Sequence, residues 1–218
     1  MKPKYKCVIF DLDGTLVDTL GDIAASMNKS LELHGFPALR TEDYRDKVGW
    51  GIKRLAYLAL PEEARNEETA ELAAKDAARF YAETPVKYSV IYPGIPELLS
   101  ILRQKKIKTA VLTNKPDPAA QKVIAGLFPP FSFDIVQGET GGKTRKPNPE
   151  CVWELLVEFD LTPAGVIFLG DSEVDMETAV SAGCFPVGVS WGYRSRETIQ
   201  KAGARRIIDT PEELLDFL

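Results

Sequence analysis

The chain has 218 residues, 44% apolar and 27% charged, with a formal net charge of −5. That length can bury one sizeable core beside a smaller accessory domain. The negative balance excludes a global positive field that would gather nucleic acid, and no stretch approaches the roughly 20 apolar residues of a membrane span.

The first element is the apolar run Cys7-Val8-Ile9-Phe10, read as a buried strand. The basic stretch before it leads into Asp11 too soon for a signal peptide. Residues 22–34 carry apolar positions at helical spacing, and Thr41 is expected to cap a further helix. Gly49-Trp50-Gly51 breaks the pattern, 52–60 resumes it, and the Ala- and Glu-rich stretch 62–83 reads as one longer helix. Residues 18–85 thus form an all-helical segment. Asp18 and Asp22 fit a hinge and a helix start.

Beyond residue 85 the character changes. Helical stretches open at Pro93-Gly94-Ile95-Pro96, at Pro118 and at Pro149, and strands are predicted at 108–112, 133–136, 166–169 and 185–189. Helices follow over 175–182, 196–202 and 211–217. Strands alternating with helices imply a parallel sheet covered on both faces. The economical fold is α/β: a Rossmann-like three-layer core of residues 1–17 and 86–218, with an all-helical domain of residues 18–85 inserted after the first strand.

The cysteines are odd in number and widely spaced: Cys7, Cys151 and Cys184. They read as reduced thiols in the core of a cytoplasmic protein. The single histidine, His34, stands just before Gly35, where it caps a helix end. A Ser-His-Asp hydrolase needs a well-placed imidazole and a His-rich metal site needs several, so a lone histidine at a helix end argues against both. No cysteine has an arginine at the spacing of a phosphate-binding loop. The run Gly138-Glu139-Thr140-Gly141-Gly142-Lys143-Thr144 looks like a P-loop, but it is one residue short, and prolines stand where its helix should begin.

The chemistry concentrates at strand ends. Asp11-Leu12-Asp13-Gly14-Thr15 follows the first strand, although acids are poor strand formers. Thr113-Asn114-Lys115 ends the second core strand, Lys146 lies in a Lys-Pro-Asn-Pro loop, and Gly170-Asp171-Ser172, with Asp175 beyond, follows 166–169. The carboxyl ends of a parallel sheet face one edge, so these groups can share a pocket. Taken singly, each has a plainer reading: a strand-end turn for Thr113-Asn114, a solvated loop residue for Lys146, helix-start groups for Asp171, Ser172 and Asp175. Four such clusters in order favour a site.

With these four motifs in place the chain resembles the haloacid dehalogenase superfamily, in its phosphoglycolate phosphatase-like branch with an α-helical cap. Val48-Gly49-Trp50-Gly51 and Gly188-Val189-Ser190-Trp191-Gly192-Tyr193 resemble that branch too. The resemblance implies a Mg²⁺-dependent phosphomonoester hydrolase acting on a small phosphorylated metabolite, phosphoglycolate being the first expectation. By the same resemblance Asp11 is nucleophile and metal ligand. Asp13 gives its backbone carbonyl to the metal and moves the proton. Asp171 ligates directly, and Asp175 ligates through water or supports the site. Thr113, Asn114 and Lys146 would hold the phosphate. In the cap, Gly49 and Trp50 are candidates for a closing loop or a plain helix–helix turn, and Lys53 and Arg54 for meeting a substrate carboxylate or forming a solvated basic face. The alternative within the fold is a sugar phosphomutase of the β-phosphoglucomutase type. A non-enzymatic interaction protein would show damaged motifs, and none is visible.

Overall fold

The computed structural model describes residues 4–130, 132–141 and 144–218. Six strands form one parallel sheet: β1 (Cys7–Phe10), β4 (Lys108–Pro116), β5 (Ile135–Glu139), β6 (Val166–Gly170), β7 (Phe185–Val189) and β8 (Arg206–Ile208), in the order β5-β4-β1-β6-β7-β8. β1 lies between β4 and β6, pairing Phe10 with Val111 on one side and with Leu169 on the other. All four of its residues are buried. A strand buried on both faces needs a continuous apolar sequence rather than an alternating one, which is what 7–10 supplies.

Alternation still decides which layer each side chain joins. Val8 and Phe10 join the face packed by α4 (Ile95–Gln104) and α5 (Asp117–Leu127), a core that continues into the helical insert. Cys7 and Ile9 join the opposite face, packed by α6 (Glu150–Phe159) and α7 (Glu173–Ala182). The three cysteines are free and all belong to this second cluster. Burial pushes Cys7 and Cys184 up to about 12 and Cys151 to about 11, so none is a thiolate near neutral pH. A short helix, α8 (Arg196–Lys201), leads to β8.

The insert consists of α1 (Leu20–Leu33), α2 (Ile52–Ala59) and α3 (Glu67–Glu83), with 3₁₀ turns at Thr41–Lys47 and Glu62–Ala64. Two short strands join it to the core: β2 (Val17–Asp18) pairs antiparallel with β3 (Val90–Ile91). Asp18, assigned by the sequence to the helical segment, belongs to this ladder. Asp22 steadies the same junction, because its buried carboxylate accepts the backbone N–H groups of Tyr88 and Ser89 and the Ser89 hydroxyl. No described helix is long and apolar enough to cross a membrane.

Several boundaries differ from the sequence reading. Thr41 is inside its 3₁₀ turn rather than capping it, since Asp43 reaches back to the Arg40 N–H. The stretch 62–83 is not one helix: α3 starts at Glu67, where Asn66 accepts the Thr69 N–H and competes with helical pairing. β5 begins two residues later than expected, and β8 was not expected at all. β8 is an edge strand with one buried residue, so it carries almost no hydrophobic pattern. The 211–217 stretch is 3₁₀ rather than α. In the P-loop look-alike, Gly138 and Glu139 belong to β5, and Gly142 and Lys143 lie outside the described residues.

Candidate active site

The carboxyl ends of β1, β4 and β6, with the loop between β5 and α6 that carries Lys146, bring the four polar clusters together. Asp11 leaves β1 with its N–H still bonded to Leu169 O (2.9 Å), which fixes the side chain at the sheet edge. Oxygens of Asp11, Asp171 and Asp175 lie within 4.8 Å of one another, and all three residues are buried. Lys146 reaches into this group, 2.8 Å from Asp11 Oδ1 and 2.6 Å from Asp175 Oδ1.

The electrostatics follow from crowding. Burial, then the charge of Asp175, raises Asp11 to about 7, although Lys146 pulls it down. Burial and the charges of Asp175 and Asp11 hold Asp171 well above the ordinary carboxylate range. Burial pulls the Lys146 ammonium down, but Asp11 and Asp175 more than offset this, and it stays charged. One lysine against three carboxylates leaves the cluster short of positive charge. Asp11 Oδ1 also has no aligned hydrogen-bond donor among the described residues. A hard divalent cation with oxygen ligands fits this donor set.

The acids are held differently. Asp171 accepts the Thr15 hydroxyl at Oδ1 (3.3 Å) and the Tyr193 N–H at Oδ2 (2.7 Å). Asp175 gives Oδ1 to Lys146 and Oδ2 to the Ser172 N–H and hydroxyl, which makes it part of a capping box on α7. Gly14 has φ +84°, and a Cβ there would come 2.5 Å from Asp171 Oδ2. Both facts require glycine.

Asp13 stands apart from the cluster. Thr19 donates its hydroxyl to Asp13 Oδ1 at 2.6 Å, and Lys115 Nζ lies 2.9 and 3.1 Å from its two oxygens. Two residues apart in sequence, Asp11 and Asp13 therefore face different partners. Lys115 was not among the expected site residues. The signal was present: residues 113 and 115 lie two apart on β4, which extends to Pro116 and changes register against β5 after Leu112. Thr113 is buried and accepts the Lys115 N–H at 3.2 Å. Asn114 donates from Nδ2 to Gly49 O and Lys146 O, both at 3.0 Å, and its Oδ1 has no hydrogen-bond partner among the described residues.

Above these groups lies a cavity of about 210 Å³ between core and insert, with Asp11, Asp13, Thr113, Asn114 and Lys115 on its floor. The insert contributes Ile23, Met27, Val48, Ile52, Leu55 and Tyr81 to an apolar wall. Gly49 and Gly51 line it as well, with φ values of +113° and +85°. Three cap expectations need correction. Trp50 is not a lining residue: its indole N–H donates to Glu173 Oε1 at 3.0 Å. Lys53 is exposed and pairs with Glu71 (3.0 Å), while Arg54 is exposed with its guanidinium over the Tyr57 ring. α2 buries Leu55, Ala56 and Ala59, and its periodicity turns residues 53 and 54 outward.

A set of long-range contacts ties the insert to the core. Arg194 binds Glu173 Oε2 (3.0 Å) and Val48 O (2.6 Å), and Glu173 also takes Trp50. His34 makes no contact with the site; it meets Asp76 at 3.0 Å.

The family model described as haloacid dehalogenase-like hydrolase matches residues 8–189, which span all four motifs. The chain belongs to this family. It is 31% identical over 224 residues to a phosphoglycolate phosphatase of Haemophilus influenzae, covering 100% of both chains. A phosphoglycolate phosphatase of Mannheimia succiniciproducens is 36% identical over 228 residues, again with 100% of both covered. Among solved structures, one described as a predicted phosphoglycolate phosphatase from Haemophilus somnus superposes with a TM-score of 0.91 at 29% identity, covering 99% of each chain. The enzyme is thus a hydrolase of the phosphoglycolate phosphatase-like branch.

Proposed function

We propose that this hydrolase cleaves phosphate monoesters of small metabolites, phosphoglycolate first among them, through an aspartyl phosphate on Asp11. The observation that carries the reading is the division between the two acids. Asp11 sits on the cavity floor with Oδ1 2.8 Å from the Lys146 ammonium, whereas Asp13 is gripped separately by Thr19 and Lys115.

In this reading Asp11 attacks the phosphorus in line and the ester oxygen departs. Asp13 gives that oxygen a proton, then takes one from the water that hydrolyses the aspartyl phosphate. Thr113 and the Asn114 N–H donate to phosphate oxygens, and Lys146 offsets their charge. Mg²⁺ fits the carboxylate cluster, held by Asp11, Asp171 and the Asp13 backbone carbonyl. It would supply electrophilic stabilisation of the phosphoryl group. With both its oxygens engaged by Lys146 and Ser172, Asp175 acts as the residue that positions Lys146. The cytoplasmic setting belongs to the same reading and rests on three free, buried thiols.

The apolar wall argues against a sugar phosphomutase. Ile23, Met27, Ile52 and Leu55 offer no partners to the hydroxyls of a sugar, which would be buried unpaired. The test is a Mg²⁺-supplemented screen of phosphorylated metabolites ranked by kcat/KM, with Asp11→Asn as control. Phosphate release by the native enzyme, lost in the variant, supports the reading. Isomerisation of β-glucose 1-phosphate without net phosphate release contradicts it.

A further inference from the structure

With Lys53 and Arg54 facing solvent, the cavity must recognise its leaving group by other means. Among the residues lining it, the cations are Lys115 and Lys122. Lys122 is exposed, so solvent screens its charge, and its ammonium donates to Ala82 O at 3.0 Å. Lys115 is 8% exposed and lies on the floor.

Lys115 is also incompletely used. Its ammonium has three N–H donors, and the two Asp13 oxygens are its hydrogen-bond acceptors among the described residues. The Tyr81 ring centre lies 4.3 Å from the same nitrogen. Tyr81 comes from α3 of the insert, is 6% exposed, and lines the cavity beside Lys115 with a hydroxyl that has no aligned hydrogen-bond partner among the described residues. Burial raises the Tyr81 phenol, so it stays protonated and can donate. A buried donor without a partner is costly, and a ligand atom is the usual remedy.

Resting on the phosphatase reading above, we propose that Lys115 and the Tyr81 hydroxyl form the receptor for a carboxylate on the leaving group, and so set substrate specificity. The reach is right. Asp13 serves the ester oxygen, Lys115 is bonded to Asp13, and in a 2-phosphorylated hydroxy acid the carboxylate is one carbon beyond that oxygen. The remaining wall is apolar and suits a short carbon skeleton. One residue from the core and one from the insert must both be in place. Specificity therefore depends on the cap being seated over the core.

The experiment compares kcat/KM for 2-phosphoglycolate with that for propyl phosphate, an ester of similar length whose leaving group is uncharged, in the Mg²⁺-supplied enzyme and in Lys115→Met and Tyr81→Phe. The native enzyme should prefer phosphoglycolate by about 100-fold or more. Lys115→Met should narrow that ratio by at least about tenfold, and Tyr81→Phe by about threefold. A role confined to holding Asp13 lowers both esters together and leaves the ratio unchanged, which would overturn the proposal. If Lys115→Met does not fold, Tyr81→Phe decides, since it keeps the ring and removes one oxygen. A native enzyme that hydrolyses both esters equally also overturns it while leaving the phosphatase reading standing. A native enzyme that hydrolyses neither ester, nor p-nitrophenyl phosphate, refutes both.

Discussion

Lys146 holds its ammonium 2.8 Å from Asp11 Oδ1, with side-chain exposures of 2% and 7%. The lysine also holds Asp175, so one cation serves two buried carboxylates beside a third, Asp171. Removing one member of a buried ion network strands the others without a counter-charge. Lys146→Met should therefore lower metal-free stability by about 3–5 kcal/mol, read by urea denaturation. Mg²⁺ should restore part of the loss, because it supplies charge to the same cluster. A metal-free variant as stable as the native enzyme would show that the cluster is already neutral.

The raised Asp11 carboxyl has a signed consequence for stability. Its folded value is about 7, above the ordinary value of roughly 3.9. The folded chain then holds a proton that the unfolded chain has released, and this group's contribution falls as pH rises from about 4 to about 7. Asp11→Asn removes the group. In metal-free protein the variant should gain stability over the native enzyme as pH rises through that window, with the gain levelling off above about 7. Differential scanning calorimetry at pH 5, 6, 7 and 8 checks the trend. A difference that is flat with pH would contradict the assigned environment.

Gly14 is required twice, by its left-handed φ of +84° and by the Asp171 carboxylate. Gly14→Ala should cost about 1–2 kcal/mol from the backbone alone. The displaced Asp171 should also weaken Mg²⁺ binding, measured by isothermal titration. Unchanged metal affinity would argue that Asp171 lies outside the ligand set.

The corrected cap residues make opposite predictions. Trp50→Phe removes the donor to Glu173 and loosens the loop carrying Gly49 and Gly51; kcat/KM should fall about fivefold, the value of one hydrogen bond. Lys53→Ala and Arg54→Ala change solvated side chains and should leave kcat/KM within about twofold. Steady-state kinetics on all three variants distinguishes the two groups.

The sheet domain was legible because its signals are local. A buried central strand reads as Cys7–Phe10, and the acids that follow it mark the candidate site. The same holds for Thr113 and Asp171. The cap was less legible. Helical periodicity locates α2 but does not say which face meets the core, so it leaves Lys53 and Arg54 as candidates for the pocket as well as for a solvated face. Lys115 was visible at the right spacing from Thr113 but lost beside the stronger motif. The Glu173–Arg194–Trp50 contacts join residues more than 100 positions apart in part, and no local pattern encodes them. β8 was missed because an edge strand with one buried residue leaves little trace in the hydrophobic pattern.

The central claim is that Asp11 carries the phosphoryl group while Asp13 handles the proton. It is tested most directly by mixing Asp13→Asn rapidly with p-nitrophenyl phosphate and Mg²⁺. This ester's leaving group departs without a proton, so the first step proceeds while the second lacks its base. The account predicts a burst of about one p-nitrophenolate per enzyme, followed by slow turnover, with borohydride converting residue 11 alone to homoserine in the quenched protein. Burst-free product formation with residue 11 unmodified, or a phosphoryl group on another side chain, would contradict it.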